Sequence, residues 1–468
     1  MGYTEGPTTI RYILDTNYID TGESKTISND HVRLLPQQFR TIRIFPKGTR
    51  NCYKINVTSG QKYLIRASFG YGNYDGENNL PEFELCLGDS LWDSVVFTCD
   101  LVNSIIAKEL IHIPVRNYIH ICLVDINKGV PFISVIELRP LRDEIYQSEV
   151  GSLALIQRCD TGRMVFSDEI YLFRYPDDVL DRLWYRCDEG GWKQLSTSSV
   201  IDMDAVYQLP SRVMSTAATP NDISSKYLNF SFTPVIEVEE YSASWSRELT
   251  ITMDGKLIST PFDPHYLRTT TTNTTFTAEG GKYYFSISTP GTTYQPILNA
   301  FEIYMAKEFL VSETNQQDAI TNLKSTYKII KNWQGDPCNP QVYLWEGVKC
   351  SYSDNDSARI ISLDLSQSGL TGEIAASIAN LTMIQTLDLS NNNLSGQIPE
   401  YLSQLPKLNV LNLEKNELTG SVPAGLIAKG KDGLSLSLCG NPSLSKQVPC
   451  EKKKNKFAVP VVVSIIVM

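Results

Sequence analysis

Side chains that could catalyse a reaction or hold a metal are few in this chain and poorly spaced for either task. Four histidines occur in 468 residues, none of them in the HExxH arrangement of a zinc site. His112 and His120 lie in strand-like sequence, which favours a structural role. The acid pairs 177–178 and 239–240 are adjacent, whereas sugar hydrolysis needs carboxylates on both sides of one bond. We therefore expect exposed loop acids, and no catalytic, cofactor-binding or metal-binding residue.

Ten cysteines carry a second kind of chemistry, disulfide formation. Cys338 and Cys350, and likewise Cys439 and Cys450, close short loops, so each pair is predicted to form a disulfide. Such bonds persist only in oxidising compartments. The other six cysteines allow fifteen connectivities, and they are Cys52, Cys86, Cys99, Cys122, Cys159 and Cys187.

Asn-x-Ser/Thr tripeptides support the same compartment, because N-glycans are added along the secretory route. The predicted glycosylation sites are Asn56, Asn229, Asn273, Asn355, Asn380 and Asn393.

The segment GYGNYDGENN (70–79) combines two tyrosines and an acid with turn-forming glycines. Aromatic rings stack well on flat, partly apolar sugar faces. Tyr71, Tyr74 and Asp75 are therefore candidate ligand-binding residues. The alternative is that they are turn residues that pack locally.

A 24-residue pattern repeats three times between residues 358 and 429 and requires a stacked architecture. Its inward leucines are Leu363, Leu365, Leu387, Leu389, Leu411 and Leu413. Asn392 and Asn416 occupy a fixed turn position and are predicted to hydrogen-bond backbone groups of the next coil, whereas the first repeat has Ser368 there. This is the pattern of leucine-rich repeats. The cysteine pairs at its two ends are typical of caps that cover the open ends of a solenoid.

The register of the repeats also predicts the solvated column on the inner face of the solenoid. That column comprises Ser362, Asp364, Ser366, Thr386, Asp388, Ser390, Val410, Asn412 and Glu414. Three coils are too short to hold an extended peptide, so we expect a spacer or a co-receptor docking surface that includes Asp364, Asp388 and Asn412.

The first three hundred residues contain a succession of strand-like segments, and this pattern predicts an all-β region of sandwiches. The strand-like segments are 40–45, 52–57, 62–69, 118–124, 131–138, 248–253 and 282–288. An Asp-Gly hairpin signal stands at 253–256. Segments 131–138 and 296–303 match in kind at the first proline, at an aliphatic third residue, at a small residue and on both sides of a shared glutamate, which indicates two lobes that each end on the same strand.

Composition and the final residues limit the range of partners. A net charge of −10 disfavours nucleic acid. The last twelve residues, 457–468, are uncharged and follow the basic run EKKKNK. A bilayer span needs about 20 apolar residues, so we predict a truncated transmembrane helix.

Eight segments then occur in order along almost the whole chain: TNYIDTGES, FPKGTRNCYKINV, KYLIRASFGYGNYDG, PFISVIELRPL, RYPDDVLDRLW, VMSTAATP, LNAFEIY and NWQGDPC. Together they resemble the extracellular part of plant malectin-like leucine-rich-repeat receptor kinases. The resemblance implies two tandem malectin-like β-sandwiches, a short solenoid, one membrane span and a cytoplasmic serine/threonine kinase.

Three departures from that family pattern stand out. The family's opening strand, which carries a cysteine, precedes the start of this chain, so the lobe cysteines need not pair as in the family. The second lobe retains only the end of one expected core strand, which predicts an unpaired edge. No kinase signature occurs in the 468 residues.

The predicted domains are lobe 1 (1–145), lobe 2 (146–307), a linker with an N-terminal cap (308–357), three repeats (358–429), a C-terminal cap (430–450) and a juxtamembrane segment (451–468). The predicted function is the ligand-sensing extracellular region of a single-pass receptor kinase at the plasma membrane. Its expected partners are a peptide or carbohydrate ligand and a membrane co-receptor kinase. The alternative is a non-signalling, lectin-like binder of cell-wall carbohydrate.

Overall fold

The computed structural model describes residues 2–6, 8–97, 105–148, 151–162, 174–187, 190–203, 206–232, 241–244, 249–259, 261, 267–274, 282–289, 294–309, 315–353 and 356–445. They form two compact units, Met1–Val311 and Ser312–Met468. Both predicted lobes fall in the first unit, and the repeats fall in the second.

Unit 1 is built from short strands, as the alternating sequence predicts. Its strands are β1 (Tyr3–Thr4), β2 (Arg11–Tyr12), β3 (Glu23–Thr26), β4 (Thr41–Ile44), β5 (Arg50–Asn56), β6 (Tyr63–Gly70), β7 (Glu82–Leu87), β8 (Ser90–Val96), β9 (Ile105–His112), β10 (Tyr118–Lys128), β11 (Phe132–Ile133), β12 (Val135–Pro140), β13 (Ser152–Asp160), β14 (Tyr185–Arg186), β15 (Trp192–Ser196), β16 (Thr216–Pro220), β17 (Tyr227–Phe232), β18 (Tyr241–Ser244), β19 (Thr250–Met253), β20 (Lys256–Leu257), β21 (Thr271–Thr274), β22 (Tyr283–Ser288) and β23 (Ala300–Lys307). Helix α1 (Ser211–Met214) and a 3₁₀ turn (Gln37–Phe39) complete the described elements.

Lobe 1 is a sandwich whose core follows from the two-residue period of a strand. The sheet β5-β10-β7-β8 faces the sheet that contains β6 and β9. Ile65, Ala67 and Phe69 alternate along β6 and are fully buried, and they share one hydrophobic cluster with Leu85 of β7 and Ile121 of β10. The predicted sandwich is confirmed here.

Lobe 2 has its own core beneath the sheet β17-β22-β19-β20. Phe230 stacks on Phe285 of the neighbouring strand, with ring centroids 5.2 Å apart. The predicted Asp-Gly hairpin joins β19 to β20. Asp254 and Gly255 have φ of 49° and 78°, the two positive values that a type I′ turn requires.

The two lobes share one continuous sheet, which was not predicted from the sequence. Its order is β12-β6-β9-β13-β23-β18-β21, with β14 paired to β13. The duplicated segments supply β12 and β23, which begin at equivalent positions, Val135 and Ala300. Strand β13 pairs with β9 of lobe 1 on one side and with β23 on the other. The lobes are therefore joined by backbone hydrogen bonds across the middle of a sheet.

The expected loss of a core strand from lobe 2 is not found among the described residues, although β17 is the edge strand of its sheet. The segment thought to lack a strand supplies β17 and β18, and β18 pairs with both β23 and β21. Part of the same segment, 233–240 and 245–248, lies outside the described residues.

Unit 2 is a stack of coils with parallel strands that follows a helical cap. Its elements are α2 (Asn315–Tyr327), β24 (Val348–Ser353), β25 (Asp356–Asp364), β26 (Thr371–Gly372), β27 (Thr386–Asp388), β28 (Asn393–Gln397), α3 (Tyr401–Gln404), β29 (Val410–Asn412), β30 (Glu417–Gly420), α4 (Ala424–Lys431), β31 (Ser435–Ser437) and β32 (Ser443–Leu444), with 3₁₀ turns at Gln341–Tyr343 and Ala376–Asn380. The parallel register aligns Leu363, Leu387 and Leu411, all fully buried.

The stack contains one more coil than the sequence predicted. Strand β31 continues the sheet after β29, and Leu436 aligns with Leu411. Asn441 occupies the turn position of this coil, and its side chain accepts a hydrogen bond from the Leu418 amide. Asn441 follows Asn416 by 25 residues instead of 24. A search for repeats of exactly 24 residues therefore misses this coil, although its segment LSLCGN has the leucines and the asparagine of the repeat pattern.

The N-terminal cap closes the stack with α2 and a pair of tryptophans. Ile320 and Leu323 of α2 belong to the same hydrophobic cluster as the repeat leucines. Trp333 stacks on Trp345, with ring centroids 4.9 Å apart. In the GDPC motif the Asp336 carboxylate accepts hydrogen bonds from the amides of the two residues at 338 and 339, which fixes the turn before the disulfide.

Among the residues that the structure describes, no helix is long and apolar enough to cross a membrane. The predicted partial span, 457–468, lies outside the described residues.

Candidate functional site

The loop at 70–79 does not present the aromatic rings that the sequence suggested for ligand stacking. Tyr71 is fully buried, and its hydroxyl lies 2.5 Å from the Asp75 carboxylate. Tyr74 packs against the lobe 1 core and donates a hydrogen bond to the Val130 carbonyl. Of the three candidate residues, only Asp75 is exposed. The geometry thus favours the local-packing alternative for both tyrosines, and burial raises the pKa of each above its ordinary value.

The predicted column on the solenoid is a hydrogen-bonded polar face. Asp364 is exposed, and Asp388 and Asn412 are half-buried. Asn412 donates a hydrogen bond to Asp388 at 2.9 Å, and each aspartate also accepts one from the amide two residues ahead. Ser390, which was expected in this column, is buried. The structure therefore brings the three candidate docking residues together on the sheet β25-β27-β29-β31.

The most unusual charged site lies on the shared sheet, where five buried charges alternate across five adjacent strands. We call this set, Glu137, Arg66, Glu109, Arg158 and Glu302, the charge ladder. Arg66 stands opposite both Glu137 and Glu109 in the register, and Arg158 stands opposite Glu302. All five side chains are at most 5% exposed. The ladder runs from one lobe into the other without a break.

One ion pair in the ladder crosses between the lobes. The Glu109 carboxylate accepts hydrogen bonds from Arg66 and from Arg158, one on each side. Burial alone would raise the pKa of Glu109, but the guanidinium charges of Arg158 and Arg66 outweigh burial and hold that pKa below its ordinary value. Glu109 is therefore a charged bridge between the lobes.

The segment RYPDDVLDRLW (174–184) covers one end of the ladder. Asp181 accepts hydrogen bonds from Arg66, Arg139 and Arg174. Burial opposes ionisation of Asp181, yet the Arg174 hydrogen bond and the charge of Arg66 lower its pKa to about 2. This segment is thus a structural lid over buried charges.

The adjacent acids Asp177 and Asp178 were both expected to be exposed on a loop, and only one of them is. Asp177 is exposed and pairs with exposed Arg212, as expected for a loop acid. Asp178 is fully buried, where it accepts hydrogen bonds from Arg182 and from the indole of Trp184. The expectation of an exposed acid is therefore wrong for Asp178, because Arg182 and Trp184 of the same segment enclose its carboxylate. Residues 239–240 lie outside the described residues.

The two strand histidines have structural surroundings. His112 on β9 is buried, with Nδ1 2.7 Å from the Ser152 hydroxyl and Phe309 edge-on to its ring. Burial lowers the pKa of His112 to about 4 and that of His120 to about 3. Neither lies in a group of three or more potential metal ligands within the described part of the chain.

These histidines predict a loss of stability in acid. The unfolded chain binds a proton on His112 below pH about 6.5, whereas the native state resists protonation down to about pH 4. Stability should therefore fall as pH drops through this window, by about 2–3 kcal/mol from His112 alone at pH 4.5. Urea unfolding at pH 7 and pH 4.5 tests this. His112→Gln should shrink the difference between the two, and an unchanged difference would contradict the assignment.

The cysteines resolve into three disulfides among the described residues. Cys338 is bonded to Cys350, the pair that the loop spacing selects. Cys52 is bonded to Cys122, and Cys159 to Cys187. Cys439 is disulfide-bonded, but its predicted partner at position 450 lies outside the described residues, as does the cysteine at position 99.

One thiol remains free in the lobe 1 sheet. Cys86 stands directly opposite Cys122 in the register and is buried. Burial raises the pKa of Cys86 to about 11, so the thiol is held in its unreactive protonated form.

Comparison with known proteins agrees with this architecture. The Malectin-like domain family matches residues 1–306, which is well over half of the chain, and the Leucine Rich Repeat family matches 383–405. The chain belongs to the malectin-like family.

Relatives of this malectin-like chain are leucine-rich-repeat receptor kinases. A probable LRR receptor-like serine/threonine-protein kinase of Arabidopsis thaliana is 45% identical over 99% of the chain, which covers 56% of the relative. A putative leucine-rich repeat receptor-like protein kinase of the same plant is 42% identical over 99% of the chain and 55% of its own length. The chain thus spans about half the length of these relatives, and the kinase domain is not contained in its 468 residues.

Solved structures share the fold of about two thirds of the chain at low sequence identity. The crystal structure of the ANX2 ectodomain from Arabidopsis thaliana has a TM-score of 0.52 at 19% identity and covers 64% of this malectin-like chain and 93% of its own. The extracellular domain of ANXUR1 from the same plant has a TM-score of 0.51 at 16% identity, covering 66% and 94%. At these identities the likeness concerns the fold alone.

Proposed function

We propose that this chain is the ligand-sensing extracellular region of a single-pass plant receptor kinase. The observation that carries the proposal is that relatives named as receptor-like kinases match both units in one continuous alignment over 99% of the chain. A lone sandwich or a lone solenoid would have many other functions, whereas these relatives, which match the ordered pair, are named as receptor-like kinases.

The proposed location is the outer side of the plasma membrane. Three disulfides in the described residues favour an oxidising compartment. Asn56, Asn229, Asn380 and Asn393 are exposed, as glycan acceptors must be. The apolar segment 457–468 is the proposed start of the membrane anchor.

Unit 1 is the proposed ligand-binding part, for a peptide or carbohydrate. The shared sheet and the charge ladder hold its two lobes as one body, so a ligand that contacts both lobes would meet a preorganised surface. Of the three candidate residues in the 70–79 loop, Asp75 is the one that remains accessible to such a ligand.

Unit 2 is the proposed docking surface for a membrane co-receptor kinase. Asp364, Asp388 and Asn412 form a short acidic and amide face whose side chains are already oriented by their hydrogen bonds. A surface fixed in this way loses little side-chain entropy on association. Because a single span transmits a shape change poorly, bringing two chains together is the proposed route of signalling.

The alternative function is a lectin-like binder of wall carbohydrate without signalling. Its sandwiches would bind the carbohydrate ligand, but the docking face of unit 2 would have no co-receptor to bind. The two functions therefore differ in what unit 2 does.

A reversal of charge on the docking face distinguishes them. Residues 1–450, joined to a plasma-membrane span and one half of a split luciferase, should associate with a member of a panel of plant co-receptor kinases that carry the other half. Asp364→Lys should lower that association about tenfold or more, because like charges across an interface cost several kcal/mol.

Glu417→Lys is the matched control, since Glu417 is equally exposed but lies on β30 in the second sheet of the solenoid. Equal losses in both variants would remove the docking face from the proposal. Binding of the soluble chain to purified wall polysaccharides, with no association with any panel member, would support the lectin-like alternative.

A further inference from the structure

One face of lobe 2 combines features that suit a neutral sugar. In the sheet β17-β22-β19-β20, Leu228, Phe230, Phe285 and Ile287 point into the core. The alternate residues of the same strands must point to solvent, because successive side chains of a strand lie on opposite faces. These outward positions are tyrosine, asparagine, serine and threonine, with no charged residue within β17, β22 or β19. Lys282, just before β22, holds its ammonium 5.3 Å from the centroid of the Tyr284 ring, so it covers only one face of that ring.

Two exposed tyrosines frame this face. Tyr227 on β17 is 59% exposed, and Tyr284 on β22 is 58% exposed. Hydroxyl groups lie beside them, since Ser288 stands opposite both Tyr227 and Thr250. Exposed rings beside a row of hydroxyls provide the two contacts that saccharides use, stacking on the flat sugar face and hydrogen bonding to its edge.

Asn229 lies between the two rings. It is exposed, stands two residues after Tyr227 on the same face, and is opposite Ser286 in the register. Tyr284 is therefore its diagonal neighbour on the next strand, about 7–8 Å away from Cα to Cα. Asn229-Phe230-Ser231 is also one of the glycosylation tripeptides.

We propose that this face is occupied by the chain's own N-glycan, attached at Asn229, whose first sugars lie against Tyr227 and Tyr284 and across the hydroxyl row of β22 and β19. The proposal rests on the secretory location given under the proposed function. It adds that one glycan is a structural part of lobe 2.

A tethered glycan fits this face better than a free saccharide. Stacking on two exposed rings is a weak interaction, and a free sugar would bind it poorly. Attachment at Asn229 holds the first sugar beside the rings at an effective concentration in the millimolar range or above. Strand β17 also ends the sheet order, so a glycan there shields the sheet edge from pairing with another chain.

The test measures how quickly each glycan is removed from the folded protein. The secreted, glycosylated chain is treated with peptide-N-glycosidase under native conditions, and site-resolved mass spectrometry follows the conversion of each Asn to Asp. Asn393 is the internal control, because it is exposed on β28 with Asn391 two residues before it instead of an aromatic ring. We expect release at Asn229 about fivefold slower than at Asn393.

Two variants at Tyr284 separate stacking from other causes. Tyr284→Ala should bring the release rate at Asn229 close to that at Asn393, and leave Asn393 unchanged. Tyr284→Phe should keep the slow release, because the ring remains. Position 284 lies outside the tripeptide and is exposed, so neither change alters the acceptor sequence or the core.

Equal release rates at the two sites in the unmodified chain would overturn the inference, as would slow release that persists in Tyr284→Ala. An unmodified Asn229 in a chain glycosylated at other sites overturns the inference alone. A secreted chain without glycan at any site would contradict the secretory location itself.

Discussion

Arg158→Met is expected to lower the free energy of unfolding of unit 1 by about 3–5 kcal/mol, the cost of leaving buried charges without their partner. The Arg158 guanidinium is fully buried and hydrogen-bonds Glu109, Glu302 and the Tyr304 hydroxyl. Methionine fills much of the volume but supplies no positive charge. Two carboxylates from different lobes would then remain in a buried site with one cation fewer.

The measurement is hydrogen exchange of peptides that cover β13 and β23 in the 468-residue chain, with increasing urea. Arg212→Met is the matched control, since Arg212 also pairs with an aspartate, but 61% of its side chain is exposed. Such surface pairs contribute about 0–1 kcal/mol. A loss of similar size in both variants would show that the ladder does not stabilise the lobe junction.

Adding Glu302→Gln to Arg158→Met restores charge balance in the ladder. The double variant should therefore be less destabilised than the sum of the two single changes, since the residues contact each other. Strict additivity would contradict the view that Arg158 acts through Glu302.

Asn392→Ala is expected to cause the second large loss of stability. It should lower the free energy of unfolding of the solenoid by about 3 kcal/mol or more, since each unsatisfied buried polar group costs about 1–3 kcal/mol. The Asn392 side chain accepts hydrogen bonds from the amides of Ser368 and Leu370. It donates to carbonyls of its own coil and to the Leu365 carbonyl of the preceding coil. The predicted partners, backbone groups of the following coil, are therefore wrong, because the side chain reaches back to the coil before it.

Hydrogen exchange of peptides from β25 to β29 measures this effect. Because each coil is stabilised by its neighbours, protection should fall on both sides of Asn392. Asn409→Ala is the control, since Asn409 is an exposed asparagine in the adjacent repeat, just before β29. Unaltered protection at Ser368 and Leu370 in Asn392→Ala would contradict the assigned role.

Features with a short sequence period could be predicted from the sequence alone. The alternation of apolar residues along β6 and β22, the Asp-Gly turn at 254–255 and the repeat leucines all follow from local geometry. The disulfide between Cys338 and Cys350 likewise closes a loop that the spacing makes visible. In each case the residues that must meet lie within one strand, one turn or one repeat, so the order of residues specifies the contact.

Only the tertiary structure decided which polar residues are buried together. The members of the charge ladder come from five strands, and Arg66 and Glu109 are 43 residues apart while Arg158 and Glu302 are 144 apart. Nothing in their local sequence distinguishes these charges from solvated ones. Tyr71 shows the same limit, since a tyrosine in a glycine-rich loop can face solvent or core. Burial and ion pairing depend on which strands the fold places side by side, and that information is spread over the whole chain.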